Sequence, residues 1–215
     1  MKKYLCLSVV SLMLSPSVFA APYAGLEYGV TSMDSSYTTH FTRDSVSLNP
    51  SEANDSFAGF IGYRFDSLGF ELGYKQYDAD DSRSIHIYPS TQPDYSQERE
   101  WNADVDAKQL ILKPVYFYNV NEKLLLKAGA GLTYTRYQYN ASSHDEFEMI
   151  INDDIEYTVA RGGAETASDN VFGGVASIGL EYGVIQNFTV GLSASYQLDS
   201  MASASSLSLT TSYYF

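Results

Sequence analysis

The chain has 215 residues, a length that fits one domain. Its formal net charge of −13 argues against nucleic acid as a partner, because binding nucleic acid requires a basic surface. The 19 tyrosines and 15 glycines are more typical of a β protein than of a helical one.

The N-terminus has the pattern of a secretory signal peptide. A positively charged start is followed by a short apolar run, Leu5–Leu14, and by a small-x-small cleavage site that ends at Ala20. We expect residues 1–20 to be removed and residues 21–215 to form the mature domain. The only cysteine lies in the signal, so no disulfide is expected. No other stretch approaches the ~20 apolar residues of a spanning helix.

Eight stretches alternate between apolar and small or polar residues. A period of two is typical of strands whose faces meet different environments. In chain order the predicted strands are Tyr23–Thr31, Ser56–Phe65, Phe70–Tyr77, Ala107–Tyr118, Lys123–Tyr134, Val171–Tyr182, Phe188–Leu198 and Leu207–Phe215. Pro114 counts against the fourth, because proline removes a ladder donor. Their lengths are close to the ~9–11 residues that a tilted membrane strand needs.

The connections between these strands alternate between long and short. Long polar stretches cover 32–55, 78–106 and 137–170. Outer-membrane barrels have this rhythm, with short periplasmic turns and longer outer loops. The last strand would close such a barrel by pairing with the first. We therefore predict an all-β fold, an eight-stranded antiparallel up-and-down transmembrane β-barrel with short periplasmic turns and long extracellular loops.

Alternation alone does not say which face of each strand is the interior. A soluble, lipocalin-like barrel would place the Leu/Tyr face inside, around a small ligand. The opposite face, however, is mostly Gly, Ser, Ala and Thr, whereas a water-exposed surface usually carries ~25–35% charged residues. Small residues fit the narrow lumen of eight strands, and aromatic residues bracket many strands, as in interfacial girdles. The pattern favours a barrel whose apolar face contacts lipid.

Three segments resemble a known family. The Phe-Glu-Leu-Gly-Tyr strand at 70–74, the Lys-Ala-Gly-Ala-Gly strand at 127–131 and the terminal Tyr-Tyr-Phe are similar to the OmpA/OmpX-type eight-stranded outer-membrane β-barrel family. Length and loop style resemble the accessory colonisation factor proteins of vibrios. The resemblance implies a bacterial outer-membrane location, contact with membrane lipid and lipopolysaccharide, and a C-terminal signal at Tyr213 and Phe215 for the barrel-assembly machinery.

Seven charged residues fall on the predicted inner face. They are Glu27, Arg64, Glu71, Lys75, Lys113, Lys127 and Glu181. Because an unpaired buried charge costs several kcal/mol, we expect these residues to form a paired network that fills the lumen. An ion path is the alternative, although eight strands leave room for side chains rather than for a pore.

The predicted outer loops carry most of the acidic residues. Solvation beside an anionic lipopolysaccharide surface is the simplest interpretation. The alternative is bridging by divalent cations, because Asp78, Asp80 and Asp81, together with Asp153 and Asp154, offer the oxygens that Ca²⁺ prefers. Neither group matches an EF-hand loop, so no metal site is assigned.

One outer segment reads as a hairpin. Residues 147–151 and 155–160 flank an Asn-Asp-Asp turn. The hairpin would stand above the membrane, and such an edge can bind a partner by strand addition. The candidate binding residues are Ile150, Ile151, Ile155, Tyr157 and Val159. A hairpin packed on its own loops is the alternative.

Enzymatic activity is not expected. The three histidines, His40, His86 and His144, all lie in predicted loops, without the aligned base that a nucleophile requires. We predict a monomeric, non-enzymatic barrel without cofactor, whose acidic loops interact with a host surface or matrix component, as in adhesion or colonisation. The alternatives are a lipid-modifying enzyme, a narrow pore and a soluble ligand-binding barrel.

Overall fold

The computed structural model describes residues 20–51, 53–152, 154–163 and 165–215. The predicted signal peptide therefore lies, apart from Ala20, outside the described residues. The strands are β1 (Ala20–Ser35), β2 (Thr39–Phe41), β3 (Val46–Leu48), β4 (Asn54–Phe65), β5 (Leu68–His86), β6 (Tyr95–Asn119), β7 (Leu124–Met149), β8 (Glu156–Ala160), β9 (Glu165–Ile185), β10 (Phe188–Asp199) and β11 (Ala202–Tyr214). Within the described residues there is no apolar helix of the length that a bilayer crossing requires.

Eight of these strands form a closed antiparallel ring. Their order around it is β1, β4, β5, β6, β7, β9, β10 and β11. The last strand pairs with the first, from Tyr23 opposite Tyr214 to Ser35 opposite Ala202, so the predicted closure is confirmed. Two additions lie outside the ring: β2 and β3 form a separate hairpin, and β8 pairs with the end of β7. The predicted all-β barrel is therefore confirmed.

Most of the barrel strands are longer than the alternation predicted, and the difference is largest for β5, β6 and β7. The stretch 78–106, expected to be a loop, is mostly strand, because β5 runs to His86 and β6 begins at Tyr95. The acidic residues that suggested a loop alternate with buried ones such as Ala79 and Val105. The strand pattern thus continues above the membrane, with water replacing lipid on the outer face.

Pro114 lies within β6, in spite of the missing donor. The pairing of β6 with β7 passes from Leu112 opposite Leu132 to Val115 opposite Gly129 without a change of register. The ladder is interrupted only at the proline and its neighbour, and the long strand tolerates this gap.

Apolar side chains of the barrel strands point outward, as predicted for a lipid-facing surface. Leu209 is 60% exposed and Ile178 54% exposed, values that suit a bilayer and would be unfavourable in water over so large an area. The inner face carries small and charged residues, among them the buried Thr210 and Ser212. The soluble-barrel alternative would require the opposite orientation.

The interior contains two different compartments. The lower one, within the membrane, is charged and is closed at its base by Tyr23, Phe60 and Phe117. The upper compartment is an apolar core between the extended barrel strands and the β2–β3 hairpin. It contains Met33, Tyr37, Phe41, Val46, Leu48, Trp101, Val105, Tyr137 and Tyr139.

If the outward leucines contact lipid, the cost of replacing one by a charged residue depends on its depth in the membrane. An arginine at Leu209, near the middle of β11, is expected to reduce the free energy of unfolding in lipid vesicles by about 2–4 kcal/mol. The same change at Leu198, near the extracellular end of β10, should cost at most about 1 kcal/mol. Denaturant titration of both variants measures the difference, and equal effects at the two depths would contradict a lipid-facing wall.

Candidate functional site

Glu71 is the centre of the charge network in the lumen. It is 2% exposed, and its two oxygens lie 2.8 Å from Lys127 Nζ and 3.0 Å from Lys113 Nζ. The Tyr23 hydroxyl donates a further hydrogen bond of 2.9 Å to Glu71 Oε1. The register of β5–β6 places Lys113 directly opposite Glu71, so the pair is built into the sheet.

Lys127 connects this pair to a second buried carboxylate. Its Nζ lies 3.1 Å from Glu181 Oε1, and Ser212 donates to the same oxygen at 3.1 Å. Thr189 donates to the other oxygen of Glu181. The Lys127 ammonium also lies 4.7 Å from the centre of the Phe60 ring, a cation–π distance. Every charge in this group therefore has an opposite charge or a polar partner.

The two remaining inner charges lie further towards the extracellular side. Lys75 donates to the Ser206 hydroxyl, and Ser193 donates to Glu27 Oε1 at 3.3 Å. Both residues line a cavity of about 50 Å³, which has room for a few water molecules. Six of the seven residues predicted for the lumen therefore share one interior.

Arg64, the seventh residue of the predicted set, lies apart from these six. Its Nε donates to the backbone oxygen of Asp66 at 2.6 Å, and its guanidinium lies 4.7 Å from the centre of the Phe117 ring. It occupies the periplasmic rim, because it comes one residue before the turn at the end of β4. Without Arg64, three carboxylates face three lysines.

The β2–β3 hairpin closes the upper compartment. The sequence pattern did not predict this hairpin, because it lies within a polar stretch. Tyr37 stacks on Tyr139 with ring centres 5.1 Å apart and planes 8° apart. Its hydroxyl donates to Asp169 at 2.8 Å. Burial of the Tyr37 ring and the hydrogen bond to Asp169 raise the pKa of that phenol above its ordinary value. The hairpin is thus packed into the mouth of the barrel.

A cluster of two carboxylates and two guanidinium groups fastens this hairpin. We call it the mouth ion cluster, and its members are Asp44, Arg99, Asp145 and Arg161. Asp44 Oδ1 lies 3.3 Å from both arginines, and Asp145 Oδ1 lies 2.7 Å from Arg99 and 3.2 Å from Arg161. Trp101 Nε1 donates to Asp44 Oδ2 at 3.2 Å. Three outer segments that are distant in sequence therefore meet at one carboxylate.

Three strands of the ring continue beyond it, and a fourth strand joins them there. Pairing of β5 with β4 ends at Tyr77, and pairing of β7 with β9 ends at Ala141. Above these points the remaining parts of β5, β6 and β7 form a sheet with β8, which we call the projecting sheet. In the described part of the chain no strand covers the outer edge of β8.

Five glutamates occupy the outward face of the projecting sheet: Glu98, Glu100, Glu146, Glu148 and Glu156. Glu98 is opposite Glu146, and Glu148 is opposite Glu156. Like charges in these positions repel. Burial and the carboxylates of Glu100 and Glu156 raise the pKa of Glu146 above its ordinary value. The outward face of the projecting sheet is therefore strongly acidic.

The predicted outer hairpin is present as the β7–β8 pair. Phe147 is opposite Tyr157, and their rings stack at 5.0 Å, so Tyr157 shares the inner face with Phe147. Ile150 and Ile151 are 71% and 86% exposed at the turn. Ile155 and Val159 are also exposed. The five candidate residues are thus near one another but do not share one face.

Two of the histidines and two of the acidic residues considered for cation bridging have ordinary partners. His144 Nε2 lies 3.2 Å from Glu100, and His86 lies 3.9 Å from Glu98. The amide of Asn54 donates to both Asp78 and Asp80. Among the described side chains, no three His, Cys, Asp or Glu are grouped closely enough to hold a metal ion. Asp153 lies outside the described residues.

Comparison with known proteins agrees with this architecture. The family model described as "Outer membrane protein beta-barrel domain" matches residues 4–215. The chain belongs to this family of bacterial outer-membrane barrels. No curated protein matches it significantly.

Solved structures of other outer-membrane barrels are similar to it. Ail of Yersinia pestis, in complex with the heparin analogue sucrose octasulfate, has 14% identity over 92% of this chain and 100% of its own, with a TM-score of 0.48. The N-terminal β-barrel domain of Pseudomonas aeruginosa OprF has 14% identity over 90% and 97%, with a TM-score of 0.48. Neisserial surface protein A has 15% identity over 91% and 99%, with a TM-score of 0.47.

The lumen network of this barrel predicts a large effect at Glu71. Glu71→Gln is expected to reduce the free energy of unfolding by about 3–5 kcal/mol, because it removes one partner of a buried ion pair. Glu122→Gln, in an exposed periplasmic turn, removes the same charge and should change stability by less than about 0.5 kcal/mol. Denaturant titration in vesicles measures both. Equal stabilities would show that the lumen charges are not coupled.

The mouth ion cluster predicts a fluorescence change. Trp101 is the only tryptophan of the chain and is 1% exposed. Asp44→Ala is expected to release the β2–β3 hairpin, shift Trp101 emission to longer wavelength and increase its quenching by acrylamide. Heat-modifiable gel mobility should be retained, because the ring is untouched. Asp34→Ala, at an exposed position of β1, is the control, and an unchanged Trp101 spectrum in Asp44→Ala would contradict the fastening role.

Proposed function

We propose that this outer-membrane barrel is a closed, non-enzymatic surface protein that binds an extended basic polypeptide at the free edge of β8. The binding would serve adhesion to a host surface or matrix component, as in colonisation. The observation that carries the proposal is the uncovered edge of β8, next to a face of opposed glutamates. The barrel below would act as the anchor.

Among the residues that the structure describes, the hydrogen bonding of β8 leaves backbone donors and acceptors free. Ile155 accepts from the Met149 amide at 3.0 Å, and the Arg161 amide donates to Ser143 at 3.0 Å. Because bonding groups alternate along an antiparallel strand, the backbone groups of 156, 158 and 160 point away from β7. All five residues of β8 are exposed. An added strand could pair with them directly.

The charge of the neighbouring face selects the class of partner. Glu148 and Glu156 repel each other across the β7–β8 pair, and basic side chains of an added strand would relieve this repulsion. The heparin analogue bound to Ail is a polyanion, a chemistry that such a face would repel. A lysine- or arginine-rich segment therefore suits this barrel better.

The interior supports a closed barrel rather than a pore or an enzyme. The lumen is filled by paired charges around a cavity of about 50 Å³, and the β2–β3 hairpin covers the mouth. His86 and His144 contact glutamates, which gives them no activated nucleophile. Since this fold class can host different functions, the absence of activity is part of the proposal.

The C-terminus supports assembly as a single-chain barrel. Tyr213 and Phe215 are outward-facing, with ring centres 5.0 Å apart, and the Phe215 amide donates to the Pro22 oxygen at 3.0 Å. We propose that these two rings serve as the signal for the barrel-assembly machinery. The ring needs no second copy, because its own first and last strands pair.

A proline in β8 tests strand addition. Thr158→Pro removes an amide that faces the free edge and leaves the bonds to β7 intact, since proline is tolerated on edge strands. Thr158→Ala is the matched control. Outer-membrane vesicles carrying each protein would be applied to an array of extended peptides that differ in lysine and arginine content, and to an epithelial monolayer.

Thr158→Pro is expected to weaken binding to basic peptides about tenfold, as the loss of one or two backbone hydrogen bonds implies, while Thr158→Ala binds normally. Equal binding by the two variants would disprove strand addition at β8. Wild-type vesicles that bind no better than vesicles without the protein would disprove the adhesive function itself.

A further inference from the structure

Two cations stand on the lipid side of the barrel wall. Among the lysines and arginines that the structure describes, only Lys108 and Arg136 lie on the outer face of a barrel strand. Both are exposed, and they are directly opposite each other in the β6–β7 register. Like charges in this position destabilise a sheet unless an anion lies between them.

The level of this pair in the membrane is given by its neighbours. One step towards the periplasm, the outward row contains Leu110, Tyr134 and Phe172. Tyr134 and Phe172 have ring centres 4.9 Å apart, and such rings mark the membrane interface. One step outward, the row contains Asp106 and Gln138. The cations therefore lie where acyl chains end and headgroups begin.

No group of the described protein neutralises the two cations. Neither forms an ion pair or a side-chain hydrogen bond with another described residue, although carboxylates are abundant in the chain. The nearest row of acids, with Asp106 opposite Asp78, lies on the extracellular side. An anion that approaches from the membrane side meets the two cations first and is separated by them from these carboxylates.

We propose that Lys108 and Arg136 bind a phosphate group of a glycolipid in the outer leaflet of the outer membrane. Arginine offers a planar pair of donors that matches phosphate oxygens, and lysine adds a point charge. The acyl chains of the same molecule would lie along Leu110 and Phe172. The requirement for both contacts points to a phosphorylated lipid rather than to free phosphate. This site does not depend on the function proposed for β8.

Lipid binding to purified protein tests the site. The double variant K108Q/R136Q is compared with wild type and with R43Q/R83Q, which removes two exposed cations from the extracellular segments without changing the wall. Each mature barrel is titrated in detergent with diphosphoryl lipid A, with fully dephosphorylated lipid A and with inorganic phosphate. Bound lipid is counted by native mass spectrometry, and heat-modifiable mobility verifies folding.

Wild type and R43Q/R83Q are expected to retain diphosphoryl lipid A, and K108Q/R136Q should bind it about tenfold more weakly. Dephosphorylated lipid A should bind all three equally and weakly. Equal retention by wild type and K108Q/R136Q would overturn the proposal, as would equal affinity for the two lipids. Competition by inorganic phosphate at the concentration of the lipid would overturn the glycolipid assignment. Should K108Q/R136Q not fold, K108Q and R136Q alone are measured against the same criteria.

Discussion

A backbone amide in hydrocarbon has no water to bond with, so a sheet that crosses a membrane must leave no edge. The pairing of β1 with β11 meets this requirement, and it decides the rest of the wall. Once the ring is closed, alternation assigns every second side chain to lipid and every other one to a lumen too narrow for bulk water. The outward leucines and the inward serines, threonines and glycines are both consequences of closure.

The same closure makes charge pairing in the lumen obligatory. Glu71 accepts from Lys113, Lys127 and Tyr23, and Lys127 carries the interaction on to Glu181. Buried pairs of this kind are a weak source of stability compared with an apolar core, but removal of one member is costly. Their arrangement therefore fixes the interior more than it strengthens it.

Above the membrane, water replaces lipid on the outer face, so the polar side chains lie outside and the apolar ones inside. The apolar core moves inside, where the β2–β3 hairpin packs on Trp101 and Tyr139, and the outer face becomes acidic. The mouth ion cluster connects this second core to the strands of the barrel. Because the upper part is held by its own contacts, the projecting sheet can present a free edge without exposing the lumen.

The barrel could be predicted from the amino-acid sequence, because alternation with period two, strand length and the rhythm of turns depend on neighbouring residues. The sequence also indicated the six charged residues of the lumen, because successive side chains of a strand point to opposite faces. The sequence did not give the depth of Arg64, since alternation assigns a residue to a face of the strand but not to a level in the membrane. It also missed the strands in the polar stretches, where outward-facing acidic residues concealed the strand pattern. Two contacts became visible only in the folded chain: Asp44 meets Arg161, 117 residues further along, and Lys108 lies opposite Arg136. Contacts across separate strands depend on register, which is set by the closed ring as a whole and has no local signal in the chain.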